Sequence, residues 1–219
     1  MAANRLQILL TGFGPFRSVV SNPTERLIGH FRSEPVPGHD LTLRVLPVAF
    51  REAGQILLAD LEVGGREGRP FDRVLLLGVA QGSRCWRVEQ WGRNQVGLLP
   101  DVTGYVPPAG PIVADGPPLL PCTLPVERMT AAIEYAGLPA VASQNAGDYL
   151  CNYVLYLTLH YLQTRGYPAR AGFLHVPADE QTFRPGVTTA SCFPFARQVA
   201  ALRAVLHTLI NAQDNDRDF

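Results

Sequence analysis

The sequence predicts an α/β protein, a three-layer α/β/α sandwich around a largely parallel, mixed, twisted sheet. Two observations carry this expectation. Short apolar runs bounded by turn residues recur along the 219 residues, and stretches with helical spacing of apolar residues alternate with them. Alternation of this kind feeds a sheet whose two faces are both covered by helices. A chain of this length, rich in Val, Leu and Ile, buries one sizeable core, so residues 1–211 are expected to form a single domain and residues 212–219, AQDNDRDF, a polar tail.

The elements follow in order. RLQILLT, at about 5–11, has a single basic residue ahead of a short apolar run, too little for an export or membrane segment, and reads as the first strand. PTERLIGHFR, at about 23–33, is a helix with Pro23 suited to its first position. A strand at about 41–48 and a helix at about 50–61 come next, then strands at about 72–80 and 84–91. Residues 100–125 carry eight prolines, which argues against helix and most strand pairing and predicts a long ordered loop or flap. Beyond it lie a helix at about 124–137, a strand at about 139–143, a helix at about 149–164, a strand at about 170–176 and a last helix at about 194–211.

Composition narrows the function. Acidic and basic residues balance at 19 each, so the chain lacks the charge excess of a protein that neutralises nucleic-acid phosphates or lies on an anionic membrane. Cys85, Cys122, Cys151 and Cys192 form no C-x-x-C pair, which argues against structural zinc and for thiols. GFGPF has Arg17 where a dinucleotide loop places its third glycine, and Pro15 stiffens the turn; no cofactor is expected.

In α/β sheets, ligands gather where strands end. Gly147 and Asp148 mark a turn and an N-cap before an almost wholly apolar helix, which puts Cys151 in its first turn, where unpaired N–H groups and the helix dipole favour a thiolate. His175 closes the strand GFLHV just before Pro177, at the functional edge. A thiol nucleophile needs such a base within reach, although core packing is the commoner fate of a cysteine on an apolar helix and of a lone strand histidine. In CWRVEQW the alternation sets Trp86 and Val88 on one face and Arg87 and Glu89 on the other. Glu89 is then either a solvated strand carboxylate or the group that orients His175.

Four blocks decide among these readings: LLTGFGPFRSVVSNPTERL, GVAQGSRCWRVEQWGRN, SQNAGDYLCNYVLY and AGFLHVPADEQT. In order and spacing they resemble the pyroglutamyl peptidase (pyrrolidone carboxyl peptidase) family over nearly the whole chain. The resemblance implies a cytoplasmic cysteine exopeptidase that acts on peptides with N-terminal pyroglutamate and assembles as a homodimer or homotetramer. It implies a triad at Glu89, Cys151 and His175. It also implies a lactam pocket at Phe13, Phe16, Val48, Leu99, Tyr149 and Leu150, with backbone groups around Gly78 and Val79 as partners for the ring amide. A neutral ring without an α-amine suits apolar walls and a few backbone bonds. The chain departs from the family pattern at Asp148, where a Thr is usual, at Gln90 in place of an Arg, and at Leu98, which aligns with an Arg. A triad-retaining hydrolase of another amide or ester, and a non-catalytic binding protein on the same fold, are the alternatives.

Overall fold

The computed structural model describes residues 5–64, 68–184 and 192–211. The expected tail, residues 212–219, lies outside them. The elements run β1 (Leu6–Phe13), α1 (Pro23–Ser33), β2 (His39–Leu46), α2 (Phe50–Val63), β3 (Arg73–Ala80), β4 (Trp86–Glu89), β5 (Trp91–Arg93), β6 (Leu119–Pro121), α3 (Val126–Tyr135), β7 (Ala140–Ser143), α4 (Leu150–Thr164), β8 (Arg170–Pro177) and α5 (Phe195–Asn211).

Six strands form one sheet in the order β2-β1-β3-β8-β4-β7. The first four are mutually parallel. β4 pairs antiparallel with β8, and β7 runs parallel to β4, so the sheet is mixed and mostly parallel, as expected. Apolar residues of α1, α3 and α5 bury one face, centred on Leu27, Ile28, Met129, Ile133, Leu202 and Leu206. Those of α2 and α4, with Phe50, Leu57, Val154 and Leu155, bury the other. β3 is buried along almost its whole length because it has a helix layer on each side.

Local chemistry accounts for the helix starts. Asn22 caps α1 by accepting from the Thr24 amide at 3.0 Å, with Pro23 next, where no N–H is needed. α2 begins at Ala49 with no cap of its own; the Phe50 amide donates instead to Asp101 Oδ2 at 2.9 Å. Burial opposes the Asp101 charge, yet the Thr103 hydroxyl and the amides of Phe50, Thr103 and Tyr105 hold its carboxyl below the usual range.

Two expectations need correction. The strand at about 84–91 breaks at Gln90 into β4 and β5, and β5 pairs with β6 from inside the proline-rich segment to form a separate two-stranded ribbon. The prolines exclude helix there, but Pro121 sits at the end of the ribbon, where little pairing is lost. The rest of the segment is tied down from outside: Asn94 bonds Val113 and Gly116, and the Tyr156 hydroxyl donates to the Pro117 carbonyl at 2.7 Å.

Candidate active site

Three strands and one helix converge at the ends of β3 and β8. Gly78 on β3 is the register neighbour of His175 on β8, and Arg87 on β4 pairs with His175 from the other side. Glu89 stands opposite Phe173, diagonal to His175 and on the same face, as the alternation requires. It is not solvated. Glu89 is 0% exposed, and its Oε1 lies 2.7 Å from His175 Nδ1. An ionised carboxylate only accepts, so Nδ1 carries the proton and Nε2 is left available to the thiol of Cys151, whose charge acts on the imidazole. Glu89, His175 and Cys151 are thus electrostatically coupled in sequence.

The electrostatics reinforce it. Burial disfavours an imidazolium at His175, but the charge and hydrogen bond of Cys151, followed by those of Glu89, push its pKa up to about 9. Burial likewise opposes the Glu89 charge, and His175, aided by Ser143 and Arg87, holds that carboxyl below its usual range. A buried carboxylate with no cationic partner would cost several kcal/mol; here the imidazole supplies one.

Cys151 is the second residue of α4. Tyr149 is the N-cap and no side chain caps the helix, which corrects the expectation for Asp148. Asp148 is exposed and turned away: its carbonyl accepts from the Gly97 amide at 2.6 Å, and a Cβ on Gly97 would stand 2.5 Å from its Oδ2. The first N–H groups of α4 consequently have no side-chain acceptor and remain beside the thiol. Beneath the thiol lies Gly78, where a Cβ would stand 2.7 Å from Cys151 Sγ. Only a glycine lets the sulfur settle onto the strand.

A small, partly open cavity lies over Cys151, walled by Phe13, Phe16, Asn22, Val48, Val79, Tyr149 and Leu150. Six of the residues expected to line a pocket therefore meet around the thiol, and Gly78 forms the floor beneath it. Leu99 stands outside this wall, 49% exposed. Its segment is nevertheless tied to the wall, because the Pro100 carbonyl accepts from Arg17 at 2.9 Å and from the Tyr149 hydroxyl at 3.1 Å. Asn22 was not singled out from the sequence, where its one signal is the role of helix cap before Pro23. Its side chain is wholly buried and also donates to the Gly14 carbonyl at 2.9 Å.

Among the described residues no group of three or more His, Cys, Asp or Glu side chains could hold a metal ion, and no helix is long and apolar enough to cross a membrane. The arrangement can do acyl transfer: a thiol at a helix start, a base held in one tautomer, and a small apolar cavity for the acyl group.

Comparison with known proteins points the same way. Residues 6–212 match the family described as pyroglutamyl peptidase. The chain is 34% identical over 218 residues to the pyrrolidone-carboxylate peptidase of Thermococcus litoralis, covering 97% of this chain and 96% of that one. It is 37% identical over 173 residues to the enzyme of the same name from Pyrococcus furiosus, covering 78% and 81%. The solved structure of the pyrrolidone carboxyl peptidase from Thermococcus litoralis superposes with a TM-score of 0.86 at 33% identity over 97% of each chain.

Proposed function

The chain belongs to the pyroglutamyl peptidase family, and from that premise we propose that it removes N-terminal pyroglutamyl residues from peptides with Cys151 as nucleophile, His175 as acid and base, and Glu89 as the orienting carboxylate. The observation that carries the assignment is the bond from the buried Glu89 to Nδ1 of His175, an imidazole coupled in turn to the charge of the thiol at the start of α4.

The chemistry follows from that path. The Cys151 proton passes to Nε2, and the thiolate attacks the carbonyl of the pyroglutamyl–X bond. The oxyanion takes hydrogen bonds from the uncapped N–H groups at the helix start. The imidazolium then protonates the departing amine, which leaves as the shortened peptide, and a thioester remains on Cys151. The now neutral imidazole removes a proton from water, the hydroxide attacks the thioester, and pyroglutamate departs as the thiolate regains the proton.

Substrate recognition rests on the cavity. Phe13, Phe16, Val48, Tyr149 and Leu150 suit a flat, uncharged ring, and the strand end at Gly78 and Val79 offers backbone groups to its amide. Leu99 lies on the segment that Arg17 and Tyr149 hold beside the cavity through the Pro100 carbonyl. The free thiols of Cys85, Cys122 and Cys151 fit a reducing, cytoplasmic setting. Assembly as a homodimer or homotetramer completes the reading.

The test is turnover of a pyroglutamyl-coumarin amide. Cys151→Ser and His175→Ala should each lower kcat by about 10³-fold or more with the melting temperature retained. Undiminished turnover by Cys151→Ser would overturn the assignment.

A further inference from the structure

β4 brings two charged side chains to the face on which His175 stands, and the mechanism above uses one of them. The other, Arg87, is the direct register partner of His175. Its Nη2 lies 3.3 Å from Glu89 Oε1, the same oxygen that His175 Nδ1 meets at 2.7 Å. From the same guanidinium, Nε and Nη2 donate to Ser143 Oγ at 3.2 and 2.8 Å, and Nη2 also bonds the Asn145 carbonyl. Ser143 closes β7 and is the register partner of Glu89, while Asn145 opens the turn that leads to Tyr149 and α4.

We propose that Arg87 is a positioning residue of the triad, which draws part of the Glu89 charge away from His175 and ties that carboxylate to the loop delivering Cys151. The proposal rests on the triad assignment made above.

The physical case concerns one oxygen with two cationic suitors. A base whose imidazolium is stabilised too strongly holds its proton when it should be neutral to activate water. Arg87 limits that stabilisation, because charge shared with a guanidinium is not wholly available to the ring. A guanidinium does not titrate in the working range, so the sharing is the same at every pH that matters. The other titratable groups facing Glu89 and His175 are Cys151 from α4 and Cys122 just after β6. Burial first, and Glu89 second, push Cys122 up to about 12, which keeps it a neutral thiol. Among the described residues that make these contacts, Arg87 is therefore the fixed cation of the site. The planar fork adds a second function, since one side chain reaches both the carboxylate and two points on the β7–α4 loop.

Titration of the His175 ring, followed by NMR of its carbon-bound protons, tests this without relying on turnover. Arg87 is 31% exposed, so its replacement leaves no sealed cavity. In Arg87→Gln the His175 inflection should rise by about half a unit, less than the one to three units of a buried pair because water screens the guanidinium. Arg87→Lys, which restores the charge, should return the inflection to its wild-type position. An inflection that stays put or falls in Arg87→Gln, or that remains high in Arg87→Lys, overturns the proposal. Cys151→Ser and Glu89→Gln, measured alongside, should each lower the inflection by removing an anionic partner. If neither does, the triad assignment fails; if both do and Arg87→Gln does not raise it, the role of Arg87 alone fails.

Discussion

Replacing Gly78 with alanine adds one methyl group at the point where β3 and the Cys151 thiol touch. That Cβ would stand 2.7 Å from Cys151 Sγ and 2.7 Å from Phe173 Cζ. An ordinary contact is about 3.5 Å, so the sulfur or its neighbours must retreat by about 0.8 Å. Phe173 is wholly buried and packs against the His175 ring with centroids 4.8 Å apart, which leaves it little room to yield. The Cys151 side chain can turn about its Cα–Cβ bond and takes most of the displacement. A shift of about 1 Å at a reacting atom costs about 10²-fold in rate, and overpacking of this kind costs about 1–3 kcal/mol of stability. For a domain of this size the melting temperature should then fall by roughly 2–12 °C. Steady-state hydrolysis of a pyroglutamyl-coumarin amide, with calorimetry on the same samples, measures both. A Gly78→Ala protein with kcat/KM close to wild type would show that the thiol does not rest on β3 as described.

Two further outcomes follow from the charged groups. Glu89→Gln keeps the shape but removes the charge, so His175 should lose the part of its elevation that Glu89 supplies while the larger part due to Cys151 remains; the alkaline limb of the kcat profile should move to lower pH, with kcat down by about 10²-fold or more, and an unmoved limb would refute the coupling. His39, 4% exposed at the start of β2, has its pKa lowered to about 4 by burial first and His207 second. The unfolded histidine takes its proton near 6.5 and the folded one only near 4, so stability drains away as pH falls through that window, by up to about 3 kcal/mol. Urea unfolding between pH 7 and 4 should show this decline in the wild type and a flatter one in His39→Leu; equal declines would exonerate His39.

How much of this was legible in the sequence depended on whether the deciding contact was local. Strand and helix positions were readable to within a few residues because both helix layers need apolar stripes and β3 needs apolar residues on both faces. The face of Glu89 was readable from W-R-V-E; its burial was not, since alternation of that kind ordinarily means one wet face. What dries it is β8 on one side and β7 on the other, neither near it in sequence. Asp148 has the chemistry of a cap but sits one residue before the capping position, and its side chain is turned against Gly97. The β5–β6 ribbon joins residues 91–93 to 119–121, a pairing that no local propensity announces. Asn22 showed only its cap role, and its place in the cavity wall depends on α4 arriving opposite. The pocket residues were legible through family resemblance rather than through composition.

The order of the strands also bears on how the molecule is made. Of the described strands β8 is the last to leave the ribosome, yet it occupies the fourth place of six, between β3 and β4. Until residues 170–177 emerge, β2-β1-β3 and β4-β7 are two fragments with no ladder joining them. The thiol at position 151 is synthesised earlier and waits without the imidazole. The strand that welds the halves together also carries His175, so the proposed triad and the sheet are completed in one step, and a half-made chain lacks the imidazole that the proposed chemistry needs.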